Sequence, residues 1–315
     1  MAPLLSRLLT LAALATFAAC GGKGAGTGGE AKPELDSDPL AMLPPSAVVF
    51  ARLDLRTVYG DPSLGSQVAA ITDPLVPIGE GSGFLPSRDV DRVVAGVYPT
   101  MGMEVAAILS GRFDVDRLTH ATRTIVGAPI TNGSYGGFAT SSVGRTTWVA
   151  LTPRTLVAGT NDGVKFVLDR LHKGPPERSL PPWIVETLET SGATTALVAD
   201  FASQPVAAAT FANVSLPWLK GMRIARVIGN MQPPGLNVAT TVTYTEPSLA
   251  ESAAGGMRSA DRWLDLFGPL VGGVKLQGFD ANAEGNDLRC KFALDTQGLR
   301  TLLAMLPRLL RSPSP

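Results

Sequence analysis

Apolar positions recur along the chain with two different spacings, and each spacing predicts one kind of secondary structure. Short apolar or alternating runs predict β-strands, because successive side chains of a strand point to opposite faces of a sheet. These runs lie at residues 47–53, 90–98, 103–110, 135–141, 145–151, 155–159, 195–200, 222–228, 236–245, 274–281 and 287–294. The chain is therefore expected to be rich in strands that pair as antiparallel hairpins.

Apolar positions three and four residues apart predict helices between the groups of strands. The clearest stripes consist of Val164, Val167, Leu168 and Leu171 in one helix, and of Leu299, Leu302, Leu303 and Leu306 in the last. Further helices are expected at residues 62–71, 114–125, 204–211 and 247–266. The proline- and glycine-rich segment 73–83 predicts a loop instead.

The order of strands and helices is repeated in the second half of the chain. Thr160-Asn161-Asp162-Gly163-Val164-Lys165 and Asp295-Thr296-Gln297-Gly298-Leu299-Arg300 each follow a strand and open a helix with the same apolar phase. We therefore predict an α+β fold with two similar lobes of antiparallel sheet, helices packed on one face of each, produced by internal duplication. Lobe 1 is residues 43–173, lobe 2 is residues 183–315, and the proline-rich linker 174–182 joins them.

The first residues carry a different pattern, an apolar run of about a dozen residues after Arg7. This run is shorter than the roughly 20 residues of a spanning helix, so residues 1–19 are predicted to be a secretory signal peptide. The run ends in Phe17-Ala18-Ala19-Cys20 and is followed at once by Gly21. These residues resemble the lipobox of bacterial lipoproteins.

The resemblance implies that Cys20 receives a diacylglyceryl group, that residues 1–19 are removed, and that the new amino terminus is acylated. Two or three acyl chains hold a protein on a bilayer essentially permanently. Gly21 stands where the family's inner-membrane retention signal often has aspartate, so the resemblance implies the outer membrane. The alternative is an ordinary signal peptide that Cys20 follows incidentally.

Residues 20–42 are predicted to be the lipidated cysteine and a flexible tether, because the glycine-rich stretch after Cys20 has almost nothing to bury. The tether contains a formal G-x-G-x-x-G match at Gly24, Gly26 and Gly29. That match neither follows a predicted strand nor opens a predicted helix, so it does not indicate a dinucleotide site.

Composition and charge narrow the class of protein. Hydrophobic residues make up 45% and charged residues 17% of the chain, which suits a folded protein with a sizeable core. The formal net charge is zero, so there is no basic excess to attract nucleic acid. Besides Cys20 only Cys290 is present, and no intrachain disulfide is expected.

Few residues are candidates for chemistry. His120 and His172 are the only histidines and lie in predicted helices, where surface or capping positions are the simplest interpretation. With so few histidine and cysteine side chains, a metal site built from them is not expected, and only an all-oxygen site stays open. We predict no metal site and no cofactor. Asp54 and Asp200 end corresponding strands, and each is expected to cap the helix that follows; the alternative is a catalytic carboxylate pair.

Two further residues stand out. Cys290 shares a strand face with Leu288, Phe292 and Leu294, which predicts a buried, unreactive thiol. Trp218 follows a proline in a predicted loop and is either a core residue or an exposed contact for a membrane or partner.

The sequence favours a non-catalytic envelope lipoprotein that binds a partner or stabilises an assembly, with the membrane as its one named partner. Two other functions stay open. One is a carrier of an apolar ligand held between sheet and helices. The other is a hydrolase that uses Asp54 and Asp200.

Overall fold

The computed structural model describes residues 33–76, 78, 82–100, 103–124, 127–204, 219–267 and 273–310. Contacts divide the chain into an N-terminal unit within residues 17–185 and a C-terminal unit within residues 186–315, and each is described by itself. The predicted signal peptide, Cys20 and most of the predicted tether lie outside the described residues. So do Trp218 and residues 205–211 of the helix predicted at 204–211.

The N-terminal unit contains, among its described residues, six helices and seven strands. They are α1 (Pro33–Ser37), β1 (Val49–Asp54), α2 (Leu55–Gly60), α3 (Gly65–Thr72), α4 (Pro86–Asp89), β2 (Val90–Tyr98), β3 (Glu104–Gly111), α5 (Val115–His120), β4 (Thr131–Tyr135), β5 (Phe138–Val143), β6 (Thr146–Thr152), β7 (Thr155–Thr160) and α6 (Asn161–His172). Short 3₁₀ helices lie at Pro39–Met42 and Asp73–Leu75.

All strand pairs described in this unit are antiparallel, in the order β1-β2-β3-β7-β6-β5-β4. Helix α6 packs on β3, β7 and β6, and α2 packs on β2. The predicted apolar stripe of α6 forms the contact, since Val164, Val167 and Leu168 are buried. This arrangement confirms the predicted antiparallel sheet with packed helices.

The C-terminal unit has the same construction. Helix α7 (Pro182–Leu188) crosses the boundary between the units. After it come β8 (Thr195–Asp200), β9 (Met222–Gln232), β10 (Gly235–Tyr244), α8 (Pro247–Phe267), β11 (Gln277–Glu284), β12 (Asp287–Asp295) and α9 (Thr296–Leu310). Its strands run in the order β8-β9-β10-β12-β11, with α8 against β11 and α9 against β12.

The two units share one strand order. In each, the first three strands are consecutive neighbours, the last strand pairs with the third, and the strand before the last pairs with the last. The N-terminal unit adds the hairpin β4–β5 beyond this common set. The shared order is what the predicted duplication requires; duplication itself stays a prediction.

The structure corrects four predicted segments in the N-terminal unit. The strand predicted at 135–141 is a hairpin, because Gly136 and Gly137 both have positive φ, 56° and 85°, and form the turn between β4 and β5. The helix predicted at 114–125 ends at His120. Beyond the helix, Ala121 has extended backbone geometry and Thr122 O accepts the backbone N–H of Ile130 at 3.0 Å.

The third correction concerns the predicted tether. The described structure begins with α1 and a 3₁₀ helix, and Leu40, Ala41 and Met42 are buried. The apolar residues just before Leu43 therefore belong to the folded body. The predicted linker is also shorter, because Pro182 already begins α7.

Candidate functional site

Asp54 is a helix cap, as predicted. It is the last residue of β1, and its Oδ1 accepts the backbone N–H of Thr57 at 3.2 Å. The carboxylate therefore satisfies one of the N–H groups that the first turn of α2 leaves unpaired.

Asp200 has a larger set of partners. It ends β8, is 8% exposed, and its Oδ1 accepts the N–H groups of Ala202 and Ser203, both at 3.1 Å. Its Oδ2 accepts the Ser203 hydroxyl at 2.7 Å. The two aspartates belong to different units, and each carboxylate is engaged by its own neighbouring backbone.

The two histidines are exposed. His120 ends α5, and its Nδ1 lies within hydrogen-bonding distance, 2.9 Å, of Asp116 O. His172 is the last residue of α6, where a cation would interact favourably with the helix dipole. Within the described residues, no three His, Cys, Asp or Glu side chains are arranged to hold a metal ion.

An open surface groove of about 590 Å³ surrounds His120. It is lined by Asp116, Arg117, His120, Ala121, Thr122 and Arg123. Arg117 pairs with Asp114 at 3.4 Å, and both side chains are largely exposed. The groove is open, and none of the residues that line it is buried, so it is a weak candidate for a binding site.

The predicted environment of Cys290 is confirmed. The cysteine lies on β12 and is buried, as is Leu288 two residues earlier. Arg289 and Lys291 are exposed on the opposite face and pair with Glu284 and Asp280 of β11. Burial raises the pKa of the Cys290 thiol, and the negative charge of Asp280 raises it further. The thiol is therefore protonated at neutral pH and a poor nucleophile.

The strongest polar cluster was not predicted from the sequence. It joins residues 33–42, which we call the docked segment, to the rest of the N-terminal unit. Asp36 Oδ1 accepts the hydroxyls of Thr152 and Thr155 at 2.5 and 2.6 Å. Both threonines are buried, with 3% and 0% of their surfaces exposed.

Further contacts hold the rest of the docked segment. Arg178 Nε lies 2.5 Å from Asp38 Oδ2, and Arg170 Nε donates to Ala41 O at 2.7 Å. The only sequence signal for this docking is the apolar Leu40-Ala41-Met42-Leu43, whose side chains are all buried. The glycine-rich residues before it led to the prediction of a tether through residue 42.

None of the described helices is both long and apolar enough to span a bilayer. The lipidation predicted at Cys20 and the role of Trp218 concern residues outside the described structure.

Comparisons with known proteins support the fold and nothing more specific. No protein-family model matches the chain, and no curated protein matches it. Among solved structures, crystal form III of TP0453 aligns with a TM-score of 0.50 and 11% identity over 85% of this chain and 98% of that chain. Crystal form IV of TP0453 aligns with a TM-score of 0.51 and 12% identity over 85% of this chain and 96% of that chain. At this identity the likeness shows that the chain has a fold similar to that of TP0453.

Proposed function

We propose that this chain is a lipid-anchored protein of the bacterial cell envelope whose α+β body is a non-catalytic binding or assembly module. The observation that carries the proposal is the apolar run that ends in Ala18-Ala19-Cys20-Gly21. Lipid on Cys20 would hold the body permanently at a membrane surface. The resemblance to lipoproteins, in which an aspartate at the position of Gly21 is often the inner-membrane retention signal, implies the outer membrane.

The state of the candidate catalytic residues supports a non-catalytic role. Asp54 and Asp200 accept hydrogen bonds from adjacent backbone N–H groups, which is a structural task. The Cys290 thiol is buried and its pKa is raised, opposite to what a nucleophile needs. These residues stabilise the fold, and we assign the function to the surfaces that the anchored body presents.

Mass spectrometry of the protein purified from bacterial membranes tests the anchor. The expected amino-terminal peptide begins at Cys20 and carries a diacylglyceryl thioether and an amide-linked acyl chain. Cys20→Ala should abolish lipid incorporation and release the protein from the membrane fraction. Cys290→Ala is the matched control and should keep both the lipid and the membrane association. A mature chain that begins elsewhere, or that lacks lipid, would refute the anchor.

Crosslinking in cells tests the binding role. A binding or assembly module should give one reproducible crosslinked partner that is lost when surface residues of the body are changed. Reproducible turnover of an envelope substrate, abolished by Asp54→Asn or Asp200→Asn without loss of folding, would contradict the non-catalytic assignment.

A further inference from the structure

We draw no further inference here: the strongest candidate, the exposed outer edge of the uncharged strand β4 (Thr131–Tyr135) at the end of the strand order in the N-terminal unit, is only 5 residues long, and nothing in the structure shows what covers it.

Discussion

Gly163 lies directly against the carbonyl oxygen of Val105, so close that a Cβ at Gly163 would sit 2.1 Å from that oxygen. Gly163 is the third residue of α6, and its N–H donates to the side chain of Thr160. Gly298 occupies the same place in α9, where its N–H donates to Asp295 Oδ1 at 2.7 Å. A Cβ at Gly298 would meet nothing closer than 3.3 Å.

The two glycines should therefore respond differently to alanine. Gly163→Ala should lower the free energy of unfolding by about 3 kcal/mol, because α6 would have to move away from β3. Gly298→Ala should range from no change to a gain of about 1 kcal/mol, since alanine favours a helix where space allows. Urea unfolding of both variants measures the difference. Equal costs would show that α6 does not approach β3 as described.

Asp36 should contribute to stability although it lies within the predicted tether. Asp36→Ala leaves the buried hydroxyls of Thr152 and Thr155 without their acceptor, at a cost of about 2 kcal/mol. Asp36→Asn keeps an acceptor oxygen and should cost less. Asp116→Ala removes an exposed carboxylate of the same unit and should cost less than about 1 kcal/mol. Chemical unfolding checks all three, and a neutral Asp36→Ala would refute the docking.

Asp200 should matter more for stability than Asp54. Asp200→Ala removes the acceptor of two N–H groups and one hydroxyl at a buried site and should cost about 2–3 kcal/mol. Asp54→Ala removes one N-cap bond and should cost about 1 kcal/mol. Denaturation curves of the two variants give the comparison. The reverse order would contradict the hydrogen-bond partners described for the two carboxylates.

Cys290 should resist thiol reagents in the native protein. Its burial and raised pKa predict labelling by an aromatic disulfide at least about a hundredfold slower than in the urea-unfolded chain. The matched measurement uses the same reagent at the same pH on both states. Rapid stoichiometric labelling of the folded protein would mean that the thiol is accessible.

The Cys290 thiol should also make the free energy of unfolding depend on pH. The unfolded thiol loses its proton near pH 8.5, while the folded thiol keeps it to higher pH. Above about pH 8.5 the unfolded state therefore binds fewer protons, and stability falls as the pH rises. Cys290→Ala should remove this part of the loss between pH 7.5 and 9.5. Unfolding curves at both pH values, with and without the substitution, measure it.

The spacing of apolar residues and the helix caps predicted much of the fold, because both depend only on residues close together in the sequence. The alternation along β12 correctly placed Cys290 in the interior, and the spacing of Val164, Val167 and Leu168 correctly identified the buried face of α6. Asp54 was correctly identified as a cap, because an aspartate before a helix can bond to the first turn without any distant partner.

Long-range contacts account for what the patterns missed. Residues 33–42 appeared to be a tether because their neighbours in sequence are glycine-rich and polar. The partners that hold Asp36 are Thr152 and Thr155, more than a hundred residues away. A distant pairing of that kind leaves no periodic signal near the segment itself.

The sequence by itself determined which faces of the strands and helices are apolar, and it showed that α6 and α9 begin in the same way. Both features depend on residues within a turn or two of one another. Only the tertiary structure decided that Gly163 lies against the backbone of Val105, while the nearest neighbour of Gly298 is the side chain of Asp295. It also decided that Asp36 of the docked segment meets Thr152 and Thr155. Both results depend on which surfaces pack together, and close packing, unlike periodicity, is a property of the folded whole.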